Sequence, residues 1–416
     1  MFNAILLMDL HWGAIPPERM KQELEETLFK RIESMKQLNA IIIGGDLFDS
    51  KQYLSSDVTN YVIEFLYNLL DKTEDLGTYI FIIKGTRTHD DLQLQTISTI
   101  FENNVYCDFR ISVFNRISQL YMMKTIIKGY DKAVWTPIDS GYDEKSIETK
   151  SINMLFIPEE YVVDQKEYYK DTIYSDKRYD LIFGHGMIDK IWYARQAKEN
   201  QNELTQHSSS PVFSVDDLTK SGKYVYFGHI HEHKKYGKDK RFEYVGPFTR
   251  WEFGKEGDVG FEYIEYHEDT GVCNEEFIVN EMAQILTTKV INIKEEITLT
   301  ELNDKINNIV SKEMQVSEKI RFIVNINSSI PNYLSIKDFL ISRISELKFA
   351  KLVLSVDLDD EVIDDIQEEI DNKNEVVRYK YDTSLELEDR IKIFLKEKRG
   401  VDISIEDIKS VLDMTI

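Results

Sequence analysis

Eight histidines occur in the chain, and six of them fall in short motifs beside aspartates or glycines. Asp9 and His11 stand in DLHWG, and Asp46 and Asp49 in GGDLFD. His89 and Asp90 end KGTRTHD, His185 is the centre of GHG, and His229, His231 and His233 alternate through GHIHEH. Carboxylate and imidazole side chains are ligands of divalent cations, and a mixed set suits manganese, iron or zinc better than calcium. In an extended segment, residues two apart point to the same side. Asp9 with His11, and His229 with His231, can therefore each face one ion. Asp46 follows a double glycine, which lets the backbone bring a carboxylate into a crowded site. With two oxygens, an aspartate can bridge two ions. A lone histidine is usually structural or solvated, but five such motifs in this order point to a metal site.

Each motif closes a segment that reads as a strand: residues 3–8 (NAILLM), 40–44 (AIIIG), 78–83 (TYIFII), 180–184 and 223–228. Between the first three, residues 18–38 and 57–71 read as helices, the former with Met20, Leu24, Leu28, Ile32 and Met35 on one face. This βαβαβ order predicts a mainly parallel sheet covered by helices. In such sheets ligands gather at the carboxyl ends of the strands, where the motifs fall. From about residue 105 the strands are shorter (121–128, 152–157, 241–246 and 259–265), which predicts a second sheet facing the first. The expected class is α/β, a two-sheet β-sandwich flanked by helices.

After about residue 285 the pattern resets. Strand 288–293, helix 299–310, strand 319–326, helix 335–347 and strand 349–356 predict a compact α+β module. The run from Asp357 to Glu375 is strongly acidic and reads as a solvated helix or linker. Two short amphipathic helices are expected to end the chain. Thr383 and Glu386 form a capping-box signal, and Leu387, Ile391, Phe394 and Leu395 a stripe. The expected domains are 1–284, 285–375 and 376–416.

The order D-x-H, GD, HD, GH, GH-x-H is similar to that of the calcineurin-like metallophosphoesterases. DLHWG, GDLFD and GHIHEH…YVGPFTRWEFG look most like the SbcD-type DNA double-strand-break repair nucleases, short phage-borne versions included. The likeness covers about residues 1–265. It implies a metallophosphoesterase fold holding two divalent ions, Mn2+ being the best suited. One ion would be held by Asp9, His11, Asp46 and His231, and the second by Asp46, His185 and His229. His89 resembles the catalytic histidine that protonates or stabilises the leaving oxygen. The implied activity is exo- or endonucleolytic hydrolysis of DNA in end processing, repair or recombination. The likeness further implies a capping domain over 285–356 and terminal helices that grip an SMC-like ATPase of SbcC type, in a homodimer within a heterotetramer. One motif departs from the family's GNHD, whose asparagine binds the second ion. Here Gly85-Thr86-Arg87-Thr88-His89-Asp90 is longer and lacks it. Thr86, Thr88 or water is left to supply an oxygen, and Arg87 to bind phosphate or face solvent.

Composition sets limits on these expectations. A length of 416 residues argues for two or three domains. The formal charge of -23 is the reverse of a free-standing DNA binder's. Nucleic-acid contact must then come from a local basic patch, divalent ions or a partner subunit. HKKYGKDKR (Lys234, Lys235, Lys238, Lys240 and Arg241) is the candidate patch, or else an ordinary charged turn. Two distant cysteines exclude a disulfide framework. Phe2–Met8 reads as a buried strand rather than a leader, and no stretch approaches the ~20 apolar residues of a membrane span. A cytoplasmic protein without a membrane partner is expected. Two rival functions share these motifs: a phosphatase or phosphodiesterase acting on nucleotides or phosphoproteins, and a weakly catalytic scaffold subunit.

Overall fold

A computed structural model describes residues 1–53, 55–101, 110–126, 133–139, 151–189, 191, 211–255 and 257–357. The acidic run beyond Asp357 and the two terminal helices expected from sequence lie outside the described residues. The protein is a mixed α/β chain with two compact units, Met1–Thr287 with Met314–Glu318, and Thr288–Glu313 with Lys319–Ile416.

The first unit contains two large sheets. One has six strands, in the order Val272–Val279, Gly260–His267, Phe2–Leu7, Ala40–Gly44, Tyr79–Ile83, Ile111–Phe114. Its last four are mutually parallel. The other has seven, in the order Lys234–Tyr236, Phe242–Tyr244, Gly222–Gly228, Tyr179–His185, Ser151–Ile157, Ser118–Ile126, Ala133–Asp139. Four of these, from Phe242–Tyr244 to Ser151–Ile157, are parallel.

Side-chain alternation explains why the two sheets stack. Phe2, Ala4, Leu6 and Met8 share one core with Met154, Phe156, Leu181 and Phe183 of the other sheet. Their neighbours Ile5, Leu7, Ile41 and Ile43 face the opposite way, into a core with Leu24, Leu28, Leu66 and Leu69 of the covering helices. On the far side, Leu155, Ile157, Ile182 and Val225 pack against Leu218. Both faces of the central strands are thus apolar, as parallel sheets require. Each such side chain contributes about 1.5–3 kcal/mol when fully buried.

Five segments differ from the sequence expectation. The first helix does not reach residue 38. It runs Pro17–Leu24, widens into a π turn at Glu25–Phe29, and ends at Lys30–Glu33. Leu28 and Phe29 at the end of the wide turn are both buried. Arg87–Phe101 is a helix whose Leu94, Ile97 and Phe101 are buried at helical spacing. The GTRTHD motif is therefore a short loop running straight into a helix, with His89 in its first turn. The strands Ile111–Phe114, Ala133–Asp139 and Val272–Val279 extend both sheets beyond what hydropathy suggested.

The second unit has a sheet of Leu286–Ile293, Lys319–Asn327 and Ala350–Asp357 in that order. The last two are parallel. Helices Leu299–Glu313 and Tyr333–Ser345 bury Leu302, Ile306, Ile336 and Leu340 against Phe322 and Val324. Among the described residues, no helix is long and apolar enough to cross a membrane.

Candidate metal centre

Five parallel strands, three from one sheet and two from the other, end at one place. Asp9 and His11 follow Phe2–Leu7, Asp46 follows Ala40–Gly44, and Thr86 with His89 follows Tyr79–Ile83. His185 ends Tyr179–His185, and His229 and His231 follow Gly222–Gly228. All of the ligands expected from sequence meet here. Asp9, His11, Asp46 and His231 form one group whose ligand atoms lie within 4.8 Å of one another. Asp46, His185 and His229 form a second group by the same measure. Asp46 belongs to both.

The backbone is bent to achieve this. Asp9, His11 and Asp46 have φ of 48°, 48° and 47°, and His229 has 95°. Side-chain-bearing residues seldom adopt the left-handed region, and such strain collects at functional sites. Gly45 (φ +95°) is needed for a further reason: a Cβ there would lie 2.3 Å from Cδ2 of His185. At Gly85 a Cβ would lie 2.3 Å from Oδ1 of Asp46.

The contacts are those of donor atoms turned toward common points. Nε2 of His11 and Nε2 of His231 are 3.1 Å apart. Oδ2 of Asp46 lies 3.6 Å from Nε2 of His11 and 3.4 Å from Nε2 of His185. The His185 Nε2 also lies 3.1 Å from Oδ1 of Asp9. The His229 amide donates to Oδ1 of Asp9 at 2.9 Å, and the Thr86 amide donates to Oδ1 of Asp46 at 2.6 Å. Nδ1 of His11 is buried without a hydrogen-bond partner among the described residues. Oδ1 of Asp49 lies 3.5 Å from it.

Electrostatics follow the crowding. Burial alone would raise the carboxyls of Asp9 and Asp46, but the His185 imidazole beside them holds both below the usual carboxylate range. Burial opposes charge on His185, yet Asp46, Asp9 and Glu159 together raise it well above the ordinary histidine value. The carboxylates thus stay anionic and draw positive charge toward themselves. Asp90 differs. Burial and the nearby Asp46 charge push it up to about 7. It braces the loops, accepting from the amides of Gly85 (2.8 Å) and Phe48 (3.2 Å).

His89 stands at the rim, its ring 4.9 Å from that of His11 in an edge-on arrangement. Its Nδ1 donates to the carbonyl of Asp49, so the first ring proton sits on Nδ1. Trp251 packs on both His11 and His231, at 4.5 and 4.9 Å between ring centres. Trp12, by contrast, is wholly in the core. A cavity of about 340 Å³ opens beside His231, lined by Thr249, Arg250, Trp251, Glu252 and Lys255.

Sequence reading missed one acid. Glu159, just past Ser151–Ile157, is buried, with Oε2 2.9 Å from Nδ1 of His185 and 3.2 Å from Nδ1 of His229. Nothing in Pro158-Glu159-Glu160 distinguishes it from a surface acid. Its only signal was its position after a buried parallel strand.

The basic patch is largely consumed within the chain. Lys234–Tyr236 and Phe242–Tyr244 do form a hairpin. Lys234 pairs with Glu232, Lys235 with Glu243 and Glu275, and Arg241 with Asp239. Arg87 is exposed and lies 4.0 Å from Asp91. Besides the groups at the strand ends, a separate histidine–carboxylate group, His233 with Glu243 and Glu262, lies next to this hairpin. There the Lys235 ammonium, 3.3 Å from Glu243, already supplies a cation.

No family model matches the sequence, and no curated protein matches it significantly.

Proposed function

We propose that the chain is a two-metal phosphoesterase of the metallophosphoesterase fold that hydrolyses phosphodiester bonds in DNA, as its likeness to SbcD-type nucleases implies. The observation that carries this reading is the sharing of Asp46 by two ligand groups. A carboxylate between Asp9, His11 and His231 on one side and His185 and His229 on the other suits a pair of divalent ions, which in such sites lie ~3.5–4 Å apart. The donor set of imidazoles and carboxylates suits manganese. Three buried carboxylates (Asp9, Asp46 and Glu159) in one pocket also require compensating positive charge.

When bound, such ions supply charge for the phosphate oxygens and lower the pKa of an attacking water. The chain's own residues do the rest. Thr86 and the His229 amide hold Asp46 and Asp9 with their oxygens aimed inward. Trp251 fixes the rings of His11 and His231. The Asp49 carbonyl keeps one proton on Nδ1 of His89. Protonated His89 then has a second proton on Nε2 to give to the leaving sugar oxygen.

An acidic chain needs help with a polyanion. Only Lys238 and Lys240 of the hairpin patch have no ion pair among the described residues. The reading therefore includes an SMC-like ATPase of SbcC type as partner, supplying most of the DNA affinity, in a heterotetramer built on a homodimer of this chain.

The test is cleavage of linear duplex DNA by the purified chain, with and without the ATPase and ATP, in manganese and in chelator. Manganese-dependent cleavage is expected. The cavity beside His231 favours one alternative, because its volume suits a small ligand. Turnover of a cyclic nucleotide with no cleavage of DNA would decide for that alternative.

A further inference from the structure

We propose that His233, Glu243 and Glu262 form a separate zinc site between the two large sheets, with the Val245 carbonyl oxygen as the fourth donor. None of these residues belongs to the ligand groups around Asp46, and the inference does not depend on the activity proposed above.

The strands bring the donors together. Glu243 lies in Phe242–Tyr244 and Glu262 in Gly260–His267, one strand from each sheet. Two residues on from each, Val245 and Ile264 lie in the core that the sheets share, so both carboxyls point into the same layer. His233 enters just before Lys234–Tyr236, and its ring rests on Phe277 at 3.9 Å between centres. Ligand atoms of His233, Glu243 and Glu262 lie within 4.8 Å of one another.

Left-over polar atoms point to a ligand. Glu243 and Glu262 are only 1% and 2% exposed. Both oxygens of Glu243 and Oε2 of Glu262 have no hydrogen-bond partner among the described residues. Burying carboxylates this completely is costly unless positive charge meets them. Lys235 supplies one such charge, 3.3 Å from Oε2 of Glu243, but its ammonium also donates to Glu275. One ammonium cannot balance three carboxylates. A divalent ion held by Glu243 and Glu262 closes the balance and leaves Lys235 to Glu275.

The spacing suits zinc. The other Glu243 oxygen, Oε1, faces His233 and lies 3.4 Å from its Nδ1. The Val245 carbonyl oxygen lies 3.3 Å from the same nitrogen. Tetrahedral zinc, with bonds of ~2.0–2.2 Å to imidazole nitrogen and carboxylate oxygen, sets neighbouring donors about 3.3–3.6 Å apart. Both separations fall there. The ion would tie a strand of one sheet to a strand of the other.

The test counts bound zinc by elemental analysis after equilibrium dialysis of the full chain, at zinc concentrations that just saturate wild type. His233→Ala and Glu262→Gln should each hold one zinc fewer than wild type, however many ions the strand-end ligands retain. Zinc should also raise the melting temperature of wild type more than that of Glu262→Gln. Melting curves in chelator check that each variant folds. Should His233→Ala fail to fold, Glu262→Gln, which keeps the volume, decides alone. An unchanged zinc count in Glu262→Gln would overturn the proposal and leave Lys235 as the cation of the cluster. So would a wild-type chain that takes up no zinc.

Discussion

The imidazoles of His11 and His231 meet at 3.1 Å, Nε2 to Nε2, although 220 residues separate them in the chain. Neither nitrogen can satisfy the other fully unless one carries a proton. A shared cation resolves the contact without one.

Losing a ligand should differ from losing the proton donor. His229→Ala is expected to abolish manganese-dependent cleavage of linear DNA and to lower metal occupancy. His89→Ala should lose cleavage, by about 10²–10⁴-fold for a general acid, with occupancy unchanged. Assays paired with elemental analysis separate the two. Intact cleavage in either variant would refute the role assigned to that residue.

Asp46 belongs to both ligand groups, so Asp46→Asn should weaken both ions together. The loss should exceed the ~10–100-fold typical of outer-shell changes. Wild type at 100 times the dissociation constant should gain about 2.7 kcal/mol of stability from each ion, and Asp46→Asn almost none. Thermal melting with and without manganese checks this; an undiminished shift in the variant would count against the shared ligand.

Gly45→Ala should destabilise the fold by about 2–4 kcal/mol, through left-handed strain and the clash with His185. Because His185 would be displaced, metal affinity should fall as well. Denaturant unfolding in chelator measures the first effect, and a variant as stable as wild type would contradict the geometry.

Glu262 and Glu243 predict a pH effect away from the metal centre. Burial, with the Glu243 charge beside it, raises Glu262 to about 9, and burial raises Glu243 to about 7 although Lys235 opposes it. Both would titrate at 4.5 when unperturbed. Between those values the folded chain keeps protons that the unfolded chain releases, so their contribution to stability is full below pH 4.5 and is lost as pH rises toward 9. Glu262→Gln should therefore stabilise the protein by about 1–3 kcal/mol at pH 8 and hardly at all at pH 5. Melting in chelator at both pH values tests this; a gain that is equal at both would contradict the raised titration of Glu262.

What the sequence disclosed and what it hid have physical reasons. Buried parallel strands such as Ala40–Gly44 are short apolar runs, and their ends carry the glycines and histidines that mark the site, so both could be read together. Leu94, Ile97 and Phe101 recur at helical spacing, but mostly polar residues fill the positions between them, so the helix Arg87–Phe101 carries a weak apolar stripe. The strand Val272–Val279 lies at a sheet edge, and its polar residues Asn274, Glu275 and Glu276 stand together rather than alternating with apolar ones, so no strand period shows in its hydropathy. Glu159 was invisible because burial, not residue type, makes it exceptional. The π turn at Glu25–Phe29 keeps the apolar spacing of an ordinary helix except at one step.

Both candidate ion groups around Asp46 draw on both sheets. Asp9, His11 and Asp46 follow strands of one, and His185, His229 and His231 strands of the other. A bound ion would act as a rivet through the two layers, and sliding of one layer by an ångström would pull its donors out of range. Metal occupancy would then report on whether the layers remain in register, and agents that loosen their apolar interface would release the ions before the helices melt.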